Sequence, residues 1–195
     1  MSYVVKTALV GDYGVGKTCI VSRFARNNFP LSDMSTLGVD FDCKIIDFKE
    51  NSYKIQIWDT AGQEKFQSIV KSYLRDLHVC ILVFDVNHIK TFQNVKKWLE
   101  QVIYISDDDD IVIQLVGNKT DLKCREVPRE MINEFCKKNN IDYMECSAKN
   151  DENVNDIFYN VIEKIDNLVK QEKIKLKFSG SFEQEKNKKI IKKEE

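Results

Sequence analysis

The sequence predicts an α/β fold: a six-stranded, mostly parallel sheet with one antiparallel hairpin strand and about five helices. Three observations predict it. Strand-like apolar runs alternate with stretches of helical period along the chain. Two of those runs, His78–Phe84 (HVCILVF) and Ile111–Val116 (IVIQLV), are apolar almost throughout, as strands covered on both faces are. Two others, Val39–Phe48 and Tyr53–Trp58, alternate and are joined by a short polar link, the pattern of a hairpin.

Taken in order, Val4–Val10 is a short apolar run with one lysine and makes the first strand. A glycine-rich loop and a helical segment, Cys19–Arg26, come next. The hairpin follows, then the two apolar strands, with Ile141–Cys146 as a sixth candidate. Between strands, Thr91–Ile105 sets Phe92, Val95, Trp98, Leu99, Val102 and Ile103 at steps of three and four. Pro128–Lys138 opens on a proline, which suits a first helical turn. Glu152–Val169 carries a long stripe from Val154 to Leu168. All these stripes read as core. In a doubly covered sheet of this kind ligands bind at the carboxyl ends of the strands, and the motifs below fall there.

Composition narrows the function. The chain has 195 residues, enough for one domain plus a tail, and a formal net charge of −1, which argues against nucleic-acid binding. No apolar stretch approaches the ~20 residues of a membrane span. Six cysteines without a C-x-x-C pair and only two histidines speak against zinc and for free thiols in a reducing cytosol. Glycine is scarce, with seven in all, yet three fall within Gly11–Gly16.

Those three belong to Gly11-Asp12-Tyr13-Gly14-Val15-Gly16-Lys17-Thr18, a G-x-x-x-x-G-K-T loop between a strand and a helix. Glycines let backbone N–H groups turn around phosphate oxygens, Lys17 offers a point charge, and the Thr18 hydroxyl can bind Mg²⁺. The helix N-terminus adds positive dipole. Trp58-Asp59-Thr60-Ala61-Gly62-Gln63-Glu64 follows a strand. Asp59 can hold Mg²⁺ through water, the Gly62 N–H can meet a γ-phosphate, and Gln63 can orient an attacking water. Thr36 lies between these motifs, where a hydroxyl and an N–H can reach both metal and phosphate. Asn118-Lys119-Thr120-Asp121 ends the Ile111–Val116 strand. One carboxylate, Asp121, can accept both donors on the guanine edge, which adenine lacks; the Lys119 stem can lie over the base. In Glu145-Cys146-Ser147-Ala148-Lys149 the Ala148 N–H can donate to guanine O6.

In this order the motifs resemble those of a small GTPase of the Ras superfamily, of the Rab type. LGVDF (37–41), KIQIW (54–58), KFQSI (65–69), LVFDV (82–86) and FQNVKKWL (92–99) carry the likeness further. The resemblance implies a phosphate-loop NTPase fold, a Ras-like G domain over 1–169, and a molecular switch between GDP and GTP in vesicle traffic. It implies slow GTP hydrolysis positioned by Gln63. Guanine nucleotide would be held by Tyr13, Gly14, Val15, Gly16, Lys17, Thr18, Cys19, Phe29, Thr36, Gly62, Asn118, Lys119, Asp121, Ser147, Ala148 and Lys149, with Phe29 edge-on to the base. Thr18 and Thr36 would bind Mg²⁺ directly and Asp59 through water. Phe41, Trp58 and Tyr73 match an aromatic triad that presents the nucleotide state to effectors. Exchange factors, GTPase-activating proteins and effectors would be the partners of a monomer. No Arg lies between Asn27 and Gly38, so no arginine finger is supplied in cis there.

Three departures bear on this. Tyr13 stands where a small residue is usual and is expected to crowd the attacking water or an incoming arginine; taken to its limit, that makes a GTP-locked scaffold with negligible hydrolysis. Leu74 and Asp76 depart from the family's aromatic and small residues, which affects effector choice. Lys170–Glu195 holds nine Lys and five Glu, with little periodicity after Phe178, and is expected to be a disordered tail. It has no cysteine for prenylation, so the protein is expected in the cytoplasm, meeting endomembranes peripherally or through partners.

Overall fold

A computed structural model describes residues 2–30, 39–60, 74, 76–106 and 111–178. Its strands are β1 (Ser2–Val10), β2 (Val39–Phe48), β3 (Asn51–Thr60), β4 (Val79–Asp85), β5 (Val112–Asn118), β6 (Asp142–Glu145) and β7 (Lys177–Phe178). Its helices are α1 (Lys17–Arg26), α2 (Ile89–Gln93), α3 (Val95–Ser106), α4 (Arg129–Asn139) and α5 (Val154–Lys170).

The strands run in the order β2-β3-β1-β4-β5-β6, with β7 on β1. All pairs are parallel except β2 with β3 and β7 with β1. The mostly parallel sheet and its one hairpin are as expected. The hairpin is tight: Phe48 pairs with Asn51, which leaves Lys49 and Glu50 as the loop, and Lys49 takes a left-handed φ of 54°.

Two apolar layers cover the sheet. On one face α1 and α5 pack over Val5, Leu9, Ile55, Ile57, Ile81 and Val83; Phe24 of α1 stacks on Phe158 of α5 with centroids 3.6 Å apart. On the other, Phe92, Val95, Trp98, Leu99 and Val102 meet Leu82, Phe84 and Leu115. Burying a side chain of this size is worth about 1.5–3 kcal/mol. Every residue of β4 is buried, which explains its continuous apolar run.

The structure differs from expectation in three details. Among the described residues there are seven strands rather than six. β4 pairs with β1 only over Thr7–Val10, which leaves one edge of Tyr3 and Val4 open, and Phe178 and Lys177 close it. Residues 171–178, assigned to the tail by their charge, therefore lie on the domain, with Leu176 buried and Phe178 against the Tyr3 ring. The helix expected over Thr91–Ile105 is divided at Asn94 into α2 and α3. Asn94 keeps right-handed dihedrals, and its side-chain amide is committed elsewhere, as described next.

Candidate functional site

The loop after β1, the end of β3 and the loops after β5 and β6 converge at the carboxyl ends of the strands. The phosphate loop turns through Gly11, Gly14 and Gly16. A Cβ on Gly11 would lie 2.1 Å from the Val83 carbonyl oxygen, and one on Gly16, whose φ is +92°, would lie 2.4 Å from the Asn118 amide nitrogen. Neither position tolerates a side chain. Around Gly14 there is open space, with nothing within 4 Å of a built Cβ. The loop is thus pressed against the sheet at both ends and open in its middle.

Helix α1 starts at Lys17, with its first intrahelical bond from Ile20 N–H to Gly16 O. No acidic residue occupies its first turn, so its positive end is unneutralised by its own side chains. The Lys17 ammonium is buried and donates to the Gly11 and Asp12 carbonyls at 2.9 and 2.8 Å. Burial lowers its pKa to about 8, against upward pulls from Asp59 and Asp12. The Thr18 hydroxyl donates to Asp59 Oδ2 at 2.5 Å, which joins the phosphate loop to the end of β3. Thr60 continues the anchor by donating to Leu9 O at 2.7 Å.

The residues expected to select the base form a second cluster. Asn118 donates from Nδ2 to Val15 O at 2.9 Å and accepts the Ala148 N–H on Oδ1 at 3.2 Å. The same Oδ1 takes the Cys146 thiol at 3.4 Å, and burial pushes that thiol up to about 12, so it stays protonated as a donor. One side chain thereby ties the loops after β1, β5 and β6 together. Ser147 donates its hydroxyl to Asp121 Oδ1 at 2.7 Å and accepts the Asn150 N–H at 3.0 Å. Lys119, at a left-handed φ of 66°, pairs with Asp85 at 2.9 Å. Arg125 and Arg129 close on Glu145, which also accepts the Tyr143 hydroxyl. Burial acts against the Glu145 carboxylate, but Tyr143 and Arg125 hold its pKa below the usual range.

The expected residues fall as follows. Tyr13, Gly14, Val15, Gly16, Lys119, Asp121, Ser147, Ala148 and Lys149 lie on these converging loops, Lys17, Thr18 and Cys19 in the first turn of α1, and Asp59 and Asn118 at the ends of β3 and β5. Tyr13 is 56% exposed at the loop's outer side. Phe29 is half-buried, with the Arg23 guanidinium 6.0 Å from its ring centre. Phe41 and Trp58 face each other across β2 and β3 with centroids 4.7 Å apart; Phe41 is exposed, whereas Trp58 is half-buried against the core. Thr36, Gly62, Gln63 and Tyr73 lie outside the described residues, as do the acidic run 107–110 and the tail from 179.

Sequence reasoning missed the residues that hold the motifs in place. Asp12 accepts the Trp98 indole N–H and the Asn94 amide, each at 2.7 Å, which fastens the phosphate loop to the start of α3. Arg23 reaches the Ala148 and Lys149 carbonyls. The only available signal was the rarity of arginine, five in the chain.

The arrangement offers a buried ammonium and a hydroxyl–carboxylate pair at the phosphate loop, and a carboxylate, Asp121, on the loop after β5. Comparison with known proteins agrees. The Ras family model matches residues 6–167. The chain is 40% identical over 175 residues to Ras-related protein Rab11D of Nicotiana tabacum, covering 89% of this chain and 78% of that one. It is 39% identical over 171 residues to Ras-related protein SEC4 of Saccharomyces cerevisiae, covering 88% and 79%. To Ras-related protein YPTC6 of Chlamydomonas reinhardtii it is 41% identical over 168 residues, covering 86% and 77%. With its phosphate loop, its guanine-type base loops and these relatives, the chain belongs to the Ras family and is a Rab-type small GTPase, a hydrolase of GTP.

Proposed function

We propose that this GTPase regulates vesicle traffic by cycling between GDP- and GTP-bound states, read by effector proteins and reset by exchange factors and GTPase-activating proteins. The observation that carries the reading is the Asn118 side chain, which bonds the phosphate loop through Val15 O and the base loop through Ala148 N–H. Phosphates and guanine are thereby addressed by one preformed unit.

In this reading the phosphates enter the open middle of the loop at Gly14 and meet the N–H groups of Gly14, Val15, Gly16, Lys17, Thr18 and Cys19. The Lys17 ammonium turns from its two loop carbonyls to the terminal phosphates. Asp121 accepts the two guanine donors, Ala148 N–H faces O6, Asn118, Ser147 and Lys149 frame the base, and Lys119 and Phe29 flank it. Thr18 and Asp59 suit Mg²⁺, because both supply hard oxygen atoms at one place beside the loop; Thr36 would complete the set. The ion would neutralise charge on the phosphates. Gln63 orients the hydrolytic water, and Gly62 and Thr36 sense the γ-phosphate. The exposed Phe41, with Trp58 and Tyr73, forms the effector face. The protein acts as a monomer in the cytoplasm, peripheral to endomembranes, with 1–169 as the G domain, 171–178 packed on it through β7, and the lysine-rich stretch beyond as tail. In support, no helix among the described residues is long and apolar enough to cross a membrane.

The test is the nucleotide that co-purifies with the protein, released by denaturation and identified chromatographically. Mostly GDP is expected. Mostly GTP would favour the locked scaffold, and adenine nucleotide or none would overturn the reading.

A further inference from the structure

We infer that Arg23 is a positioning residue for guanine selection, acting on the base loop from the helix behind the phosphate loop. Its Nε donates to the Ala148 carbonyl at 3.1 Å and its Nη2 to the Lys149 carbonyl at 3.2 Å. Its Nη1 lies 3.5 Å from the Asn27 carbonyl where α1 ends. The guanidinium carbon is 6.0 Å from the Phe29 ring centre, within range of a cation–π contact.

The peptides that Arg23 holds give it this role. The Ala148 N–H, which the guanine reading sets against O6, sits on the peptide between 147 and 148 and donates to Asn118 Oδ1. Arg23 fixes the next two peptides through their carbonyls, and the Ser147 hydroxyl takes the Asn150 N–H. Three consecutive peptides are thus immobilised, so the Ala148 N–H points one way before any base arrives. A planar fork of donors on a single edge can span two successive carbonyls, whereas a lysine ammonium is a point charge on a flexible stem. Arg23 also stands six residues after Lys17 on one rigid helix. The spacing of the phosphate loop from the base loop is therefore set through α1 as well as through Asn118.

The inference rests on the guanine reading of the site. Release of GDP and of 6-thioguanosine diphosphate, which differ at the O6 position, is followed for the wild-type protein, Arg23→Ala and Arg23→Lys. Removal of charge-assisted bonds predicts GDP release about tenfold faster in Arg23→Ala. The thio analogue, already lacking a strong acceptor, speeds up less, so the wild-type preference for GDP shrinks. Arg23→Lys moves the same way, and it carries the comparison where the alanine variant does not fold. Equal acceleration of both nucleotides would mean a merely structural role and overturn the inference, as would no acceleration. Failure of the wild-type protein to retain GDP would instead overturn the guanine reading itself.

Discussion

The two ends of the nucleotide groove are built differently. At the base end, polar groups are committed to each other across the fold: Asn118 to Val15 and Ala148, Ser147 to Asp121, Arg23 to Ala148 and Lys149. At the phosphate end, Lys17 rests on the carbonyls of its own loop. The difference teaches which contacts serve the fold and which wait for the ligand. The bonds from Asn118 to the Val15 carbonyl and from Arg23 to the Ala148 and Lys149 carbonyls go to backbone groups that a base does not need, so they persist when the site fills. The ammonium of Lys17 can leave two carbonyls for phosphates that carry more charge.

The largest effect follows from the phosphate end. Lys17→Met should weaken nucleotide binding about 10²-fold or more, since truncating one partner of a buried charge pair costs about 2–5 kcal/mol. Ligand-free thermal stability should fall by less, because the loss of the hydrogen bonds to the Gly11 and Asp12 carbonyls is partly offset by removing a desolvated charge. Equilibrium displacement of a fluorescent GDP analogue and thermal unfolding read the two quantities; a large loss of ligand-free stability would erase the contrast.

Asn118→Ala should show the opposite balance in the empty protein. It strands the Val15 carbonyl and the Ala148 N–H in a buried place, at about 1–3 kcal/mol for each group left unsatisfied. Denaturant unfolding without nucleotide should register the loss. Stability equal to that of the wild type would show that the base end is not preformed.

A smaller effect comes from protons. Lys17 sits at about 8 in the ligand-free protein and at 10.5 when unexposed to the fold's influence, as in the unfolded chain. Between those values the unfolded chain holds more protons, so ligand-free stability should rise with pH across that window. Phosphates beside the ammonium restore its proton, so nucleotide binding at about pH 9 should take up protons. Calorimetry in two buffers of different ionisation heat measures the uptake. Its survival in Lys17→Met would place the proton elsewhere.

The smallest effect belongs to Tyr13. At 56% exposed, it stands largely open to solvent. Tyr13→Ser should change single-turnover hydrolysis less than about threefold, the range of an exposed substitution. A large acceleration would restore the crowding expected from its bulk and revive the locked scaffold.

The fold was legible because its signals are local. Continuous apolar runs marked β4 and β5, and steps of three and four marked α3 and α5, since each pattern reports the burial of one element. The motif loops were legible because glycine, lysine and carboxylates at fixed spacing reflect demands made within a few residues. β7 was not legible: two residues in a charged stretch become a strand only because β4 stops short of Tyr3 and Val4. Asp12 occupied a variable position of its motif, and nothing nearby announced partners 82 and 86 residues away at Asn94 and Trp98.

By itself, then, the sequence determined the alternation of strands and helices, the order of the nucleotide motifs and the guanine-type base loop. Only the tertiary structure decided what holds those motifs at working distance: Asn118 between two loops, Arg23 on carbonyls 125 and 126 residues away, and Asp12 fastened to α3. The physical reason is that backbone acceptors are the same at every residue. No side-chain pattern marks which carbonyl a distant arginine will reach until the crossovers of the sheet bring the two together.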